Sequence, residues 1–103
     1  MKEETFRQQV CRIAHAFGYR NQYHTYDSRR SNPGWPDNVF ANQDSGHMFF
    51  VEFKSEKGRL TDPQKKWLEV LADCGQEVKV WRPSDMPHIL AYFREKRVAL
   101  HIT

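Results

Sequence analysis

At 103 residues the chain has room for one domain, residues 1–103, around one core, and its 28% charged and 14% aromatic residues describe a folded globular protein rather than a disordered one. A net charge of +3 and a pI of about 9.0 permit a polyanionic partner without requiring one. There is no run of about eighteen apolar residues and no apolar leader behind Met1-Lys2-Glu3-Glu4, so an intracellular protein is expected rather than a membrane-spanning or secreted one.

The first expected element is a helix from Glu3 to Phe17, in which Phe6, Val10, Ile13, Ala14 and Phe17 recur at helical spacing; Gly18 stops it. A short extended segment, Gln22 to Tyr26, precedes a polar loop, Asp27 to Gly34, marked by its Asn, Pro and Gly content. Two strands follow, Asp37 to Ala41 and His47 to Lys54, joined by the turn-rich connector Asn42-Gln43-Asp44-Ser45-Gly46 as in a hairpin. The clearest helix start comes next: Thr61 can cap, Pro63 falls in the first turn, and Gln64 completes a capping box. Trp67, Leu68, Leu71 and Ala72 are its expected buried stripe, and Gly75 ends it. Glu77 to Trp81 alternates as a strand, and Ser84 or Asp85 can cap a last helix carrying Ile89, Leu90 and Phe93. The order is αβββαβα, an α/β fold with a mixed central sheet flanked by helices. Cys11 and Cys74 read as reduced core thiols, and no Cys/His spacing suits zinc.

Function is concentrated between Gly34 and Lys54. Gly34-Trp35-Pro36-Asp37 leads into one strand and Val51-Glu52-Phe53-Lys54 ends the next. Glu52 and Lys54 point to one face of their strand, separated by roughly 7 Å. Clustered carboxylate oxygens suit a hard divalent cation, so Asp37 and Glu52 are candidate ligands for Mg²⁺ or Mn²⁺. Each alone has an ordinary reading, Asp37 as a turn residue and Glu52 as a solvated strand charge. The apolar run Met48-Phe49-Phe50-Val51 with Phe53 weakens the second, because an unpaired buried charge there is costly. Lys54 is placed to orient an attacking water or to stabilise charge developing on phosphate, although a salt bridge to Glu52 is the simpler alternative. His24, Ser28, Arg29 and Arg30 precede the Asp37 segment, and arginine forks and hydroxyls suit phosphate oxygens. Lys57, Arg59 and Lys65 add positive charge around and after Glu52.

The element order, with Pro-Asp opening one strand and Glu-x-Lys in the next, resembles the PD-(D/E)XK nuclease superfamily. Within it, His24 to Ser31, Gly34-Trp35-Pro36-Asp37, Val51-Glu52-Phe53-Lys54-Ser55 and Lys57-Gly58-Arg59-Leu60-Thr61 through Gln64, Trp67-Leu68 and Leu71 are similar to the VRR-NUC family. The similarity runs from about Glu3 to Arg82; Asn38 departs from it, standing where the family often has an apolar residue. The resemblance implies a restriction-endonuclease-like fold and a metal-dependent endonuclease acting on DNA. Stand-alone phage and bacterial members imply further a homodimer acting on branched DNA such as Holliday junctions. It also implies a place near the site for Gln64, for the backbone carbonyl of Phe53 as a metal ligand, and for an acid on the first helix, Glu4 in preference to Glu3. Gln64 as a simple capping residue and Glu3 and Glu4 as ordinary first-turn acids are the competing readings. The aromatics Trp35, Phe40, Trp81 and Phe93 are taken as spare surface for the dimer. The alternatives are the same chemistry on flapped, nicked or linear DNA, and a catalytically silent DNA-binding module.

Overall fold

The computed structural model describes residues 1–25 and 32–102, with side chains described through residue 96. Its elements are α1 (Glu3–Ala16), β1 (Asn21–His24), β2 (Asn38–Asn42), β3 (His47–Phe53), α2 (Asp62–Asp73), β4 (Val78–Trp81) and α3 (Met86–Ile102), with one 3₁₀ turn at Pro83–Asp85 leading into α3. This is the order read from the sequence, with strand limits shifted by a residue or two. The hairpin β2–β3 pairs Asn38 with Val51 and Asn42 with His47. β1 lies antiparallel on its outer side, and β4 runs parallel to β3 on the other. A parallel neighbour needs a crossover, which α2 supplies.

β3 is the central element because both its faces are covered; every residue from Phe49 to Phe53 is buried. Phe49, Val51 and Phe53 point toward α1 and α3, where Phe6, Val10, Ala14, Ile89 and Phe93 close a fully buried cluster. Phe6 meets Phe53 edge-on at 5.5 Å between ring centres. On the opposite face Phe50 meets Trp35, which in turn meets Trp67 of α2. Each such aromatic contributes about 1.5–3 kcal/mol by leaving water.

This packing corrects three expectations. Phe40 and Phe93 are 0% exposed and Trp81 3%, so they form the core and offer nothing to a second subunit; Trp35 is half-buried against Phe50 and Trp67. Cys74, at the C-cap of α2, is exposed rather than a core thiol, whereas Cys11 is half-buried. Ala72 is exposed, and the buried stripe of α2 is carried by Leu71 with Trp67 and Leu68 half-buried. The last helix begins after the 3₁₀ turn, with the Asp85 carboxylate accepting from Arg82 N–H at 2.8 Å.

Away from the Asp37 end of the sheet, a polar chain ties four segments together. Tyr19 Oη and His47 Nδ1 lie 2.6 Å apart, and His47 Nε2 and Glu77 Oε1 lie 2.9 Å apart. Tyr92 of α3 donates to the other Glu77 oxygen. Burial pushes the Glu77 carboxyl up, but the hydrogen bonds from Tyr92 and His47 and the His47 charge outweigh it and hold the group below its ordinary value of 4.5. A lowered carboxyl stabilises the fold above the unfolded value, and that contribution disappears as pH falls through the folded one. Glu77→Gln is therefore expected to lower Tm at pH 7 by roughly 4–8 °C, the equivalent of about 1 kcal/mol in a domain of this size. Thermal unfolding followed by circular dichroism should show the gap from the unsubstituted protein narrowing as pH drops below 4.5.

Candidate active site

Asp37 is delivered by a segment with almost no freedom. Gly34 has φ +89°, and a Cβ there would come within 2.3 Å of the Pro63 carbonyl carbon and 2.6 Å of Gln64 N, so the loop backbone lies directly on the first turn of α2. Trp35 is held between Phe50 and Trp67, and Pro36 is fully buried with its φ fixed by the ring. The Asp37 backbone carbonyl then accepts from Thr25 N–H at 2.9 Å and lies 3.1 Å from His24 Nδ1, while its side-chain Oδ2 accepts from Phe53 N–H at 3.3 Å. Backbone and side chain of this one residue are thus tied to both neighbouring strands.

Glu52, one residue before Phe53, is 1% exposed. Burial, the hydrogen bond it shares with Asp37 and the Asp37 charge together push its carboxyl up to about 9, against the pull of Lys54. Among the described residues, Glu52 Oε1 is buried without a hydrogen-bond partner. A buried carboxyl beside a second one, with one oxygen left without a partner, is a donor set that a divalent cation would complete. Among the described residues no group of three or more His, Cys, Asp or Glu side chains is assembled as a full cage. A small hard cation needs none, because it keeps waters and takes substrate phosphate oxygens alongside one or two carboxylates.

The two first-turn acids of α1 separate in role. Glu3 is raised first by burial and then by Asp37, with Lys54 pulling the other way, and Glu3 in turn raises Glu52. Glu4 instead holds Arg7, through Nε to Oε2 at 3.0 Å and Nη2 to Oε1 at 2.5 Å, which keeps the Glu4 carboxyl below its usual range. Both acids line a cleft of about 200 Å³ with Arg7, His24, Asp37 and Phe53.

Lys54 is half-buried, and its stem passes Gly58: a Cβ on Gly58 would meet Ser55 Oγ at 2.9 Å and Lys54 Cδ at 3.6 Å. The turn is pinned by Arg82, whose Nη1 donates to the carbonyls of Ser55 and Gly58, each at 2.6 Å. Lys57, Arg59 and Lys65 come together with Arg82 around a second cleft of about 510 Å³. Gln64 closes the capping box with Thr61, its side-chain oxygen accepting from Thr61 N–H at 2.9 Å. Ser28, Arg29 and Arg30 lie outside the described residues.

Sequence reading passed over Arg7 and Arg82, and noted Asn38 only as a departure from the family pattern. Asn38 is 1% exposed, its Oδ1 3.2 Å from His24 Nδ1 and its Nδ2 donating weakly to Cys11 Sγ at 3.9 Å. A signal for Arg7 was present: it stands three and seven residues before Val10 and Ala14, inside the stripe that buries α1.

The VRR-NUC domain family model matches residues 2–85. A solved structure described as a VRR_NUC domain protein superposes with a TM-score of 0.59 at 18% identity, covering 97% of this chain and 90% of that one, a likeness of fold. No curated protein matches. Among the described residues no helix is long and apolar enough to cross a membrane.

Because Gly34 joins a left-handed φ to backbone contact with α2, Gly34→Ala is expected to destabilise the fold by at least about 1–3 kcal/mol. Chemical denaturation measures it. A loss no larger than that of Gly46→Ala, where a Cβ meets nothing within 4 Å, would contradict the clamped-loop geometry.

Proposed function

From the premise that this chain belongs to the VRR-NUC domain family, a nuclease-type family, we propose that it is a metal-dependent endonuclease hydrolysing DNA phosphodiesters. The observation that carries this reading is the orphaned, buried Glu52 oxygen beside Asp37. Asp37 and Glu52 would hold Mg²⁺ or Mn²⁺, with the Phe53 carbonyl as a further ligand, and Glu3 is the first-helix acid whose field reaches them. When bound, the cation supplies Lewis-acid neutralisation of phosphate oxygens and lowers the pKa of water.

Asp37 is kept in place by the Phe53 N–H and by the buried Pro36 behind it. Lys54, its stem confined beside Gly58, orients the attacking water and offsets charge that builds on the phosphoryl oxygens. Lys57, Arg59 and Lys65 receive the flanking DNA backbone, and His24, Ser28, Arg29 and Arg30 are assigned the same task. Branched DNA is the leading substrate, because a domain this small offers little surface for reading base edges whereas shape and backbone need less. A homodimer, placing two sites on paired strands, completes the reading.

A four-way junction and its linear duplex, incubated with Mg²⁺, Mn²⁺ or EDTA, test the proposal. Junction cutting in either metal, abolished by EDTA and reduced by about 10²-fold or more in Lys54→Ala, is expected. Cutting of linear or nicked DNA alone would discard the junction reading and keep the chemistry. Junction binding with no cutting in any metal would replace the enzyme with a silent binding module. Independently of turnover, Mn²⁺ is expected to raise Tm in the unsubstituted protein and to lose that effect in Glu52→Gln.

A further inference from the structure

β3 and β4 stop at the same level. Their parallel register ends with Phe53 opposite Trp81, and one further bond follows, from Lys54 N–H to the Trp81 carbonyl at 3.0 Å. Lys54 itself stands one residue past the end of β3, at the head of a turn that runs to Gly58. Inside that turn Gly58 N–H donates to the Ser55 carbonyl at 3.2 Å. Among the described residues no hydrogen bond or ion pair fixes the Lys54 ammonium, which acts on Glu52 and Glu3 through its charge alone. Its stem instead runs past Gly58, where a Cβ would meet Lys54 Cδ at 3.6 Å. The direction of this lysine therefore depends on where the turn lies.

Arg82 stands at the matching place, one residue past the end of β4. Its N–H donates to Asp85 Oδ2 at 2.8 Å, which sets its own backbone. Its Nη1 reaches across to the turn and donates to the carbonyls of Ser55 and Gly58, each at 2.6 Å, with the Glu56 carbonyl at 3.4 Å. Ser84 N–H donates to the Glu56 side chain, so the same short segment grips the turn twice. Carbonyls converging on one point need a donor between them, and a guanidinium supplies one that stays charged when half-buried. The turn keeps its shape through Arg82, and Gly58 keeps its place against the lysine stem through the turn. We propose that Arg82 is a positioning residue for the nuclease reaction, acting through the Ser55–Gly58 turn to hold Lys54 toward Asp37 and Glu52. The inference rests on the nuclease reading for what Lys54 does, and on the geometry of the turn for how it is held.

The test uses the whole chain, with Arg82→Ala introduced alone and together with Lys54→Ala. One readout is single-turnover cleavage of the four-way junction in Mn²⁺ at saturating protein, where changes in affinity no longer affect the rate. The other needs no activity: ¹³C relaxation of Lys54 Cε in metal-free, lysine-labelled protein, its resonance identified by its loss in Lys54→Arg. Arg82→Ala is expected to cut about 10- to 10²-fold more slowly, the scale of a misplaced catalytic group, and to show greater motion at Lys54 Cε. Added to Lys54→Ala it should cost no further rate, because its effect passes through that side chain. Arg82→Gln, still able to donate to a carbonyl, should fall between Arg82→Ala and the unsubstituted protein.

Near-ultraviolet circular dichroism checks folding, and if Arg82→Ala proves unfolded Arg82→Gln takes its place in both readouts. An unchanged rate, unchanged motion at Lys54 Cε, or an equal loss of rate with and without Lys54 would overturn the positioning role and leave the nuclease intact. Where Lys54→Ala cuts too slowly for the double variant to be compared, the relaxation decides. If the unsubstituted protein cuts no DNA, the nuclease reading falls, and the relaxation alone tells whether Arg82 holds the lysine.

Discussion

One carboxyl sets the terms for this molecule. Glu52 lies on the only described strand paired on both sides whose two faces are also covered, so it cannot reach water and cannot relax away from Asp37. Burial and the neighbouring Asp37 push its carboxyl up to about 9, the direction in which such surroundings drive any carboxylate. Everything that keeps β3 buried, from the Phe49 cluster below to Phe50, Trp35 and Trp67 above, also maintains that unfavourable charge environment. Stability of the fold and the electrostatic strain on this carboxyl have one physical origin, the dryness of β3.

Around this fixed pair the positive charges are arranged at different distances from solvent. Arg7 is sunk into the cleft and oriented by Glu4, Lys54 is half-buried beside a glycine, and Lys57, Arg59 and Lys65 stand on an outer cleft framed by Arg82. The gradient suits a polyanion: exposed charges gather it at long range, and only the buried ones act without screening by salt. Arg82 joins the two zones, since its bonds to the Ser55 and Gly58 carbonyls fix the turn between Lys54 and the outer lysines.

Much of this was legible in the sequence, and unevenly so. The element order and the capping box of Thr61 and Gln64 follow from local rules of spacing and hydrogen bonding, and those rules hold in the structure. The proximity of Asp37 to Glu52 was legible because both belong to one hairpin whose turn residues announce it. What sequence alone misjudged depends on who stands across the sheet. Phe40, Trp81 and Phe93 looked spare because nothing nearby in the chain needs them, yet each meets Phe49 through tertiary contacts and Trp81 also meets Phe93. Arg7 failed to stand out because its type says surface while its position in the stripe says core. The division of labour between Glu3 and Glu4 turns on roughly a hundred degrees of helical rotation, too fine for a pattern of apolar residues to decide.

The two glycine turns that flank β2 and the β2–β3 hairpin differ in a way that bears on how this chain can change length. At Gly34 backbone rests on backbone, so an added residue would have to displace either Asp37 or the start of α2. At Gly46 there is only open space around the turn, and the strands it joins are already in register. Insertions and tags are accommodated where the affected backbone is exposed and unencumbered. Length variation, natural or engineered, is therefore channelled to the far end of the hairpin, while the spacer from Gly34 to Asp37 behaves as a ruler that keeps one length.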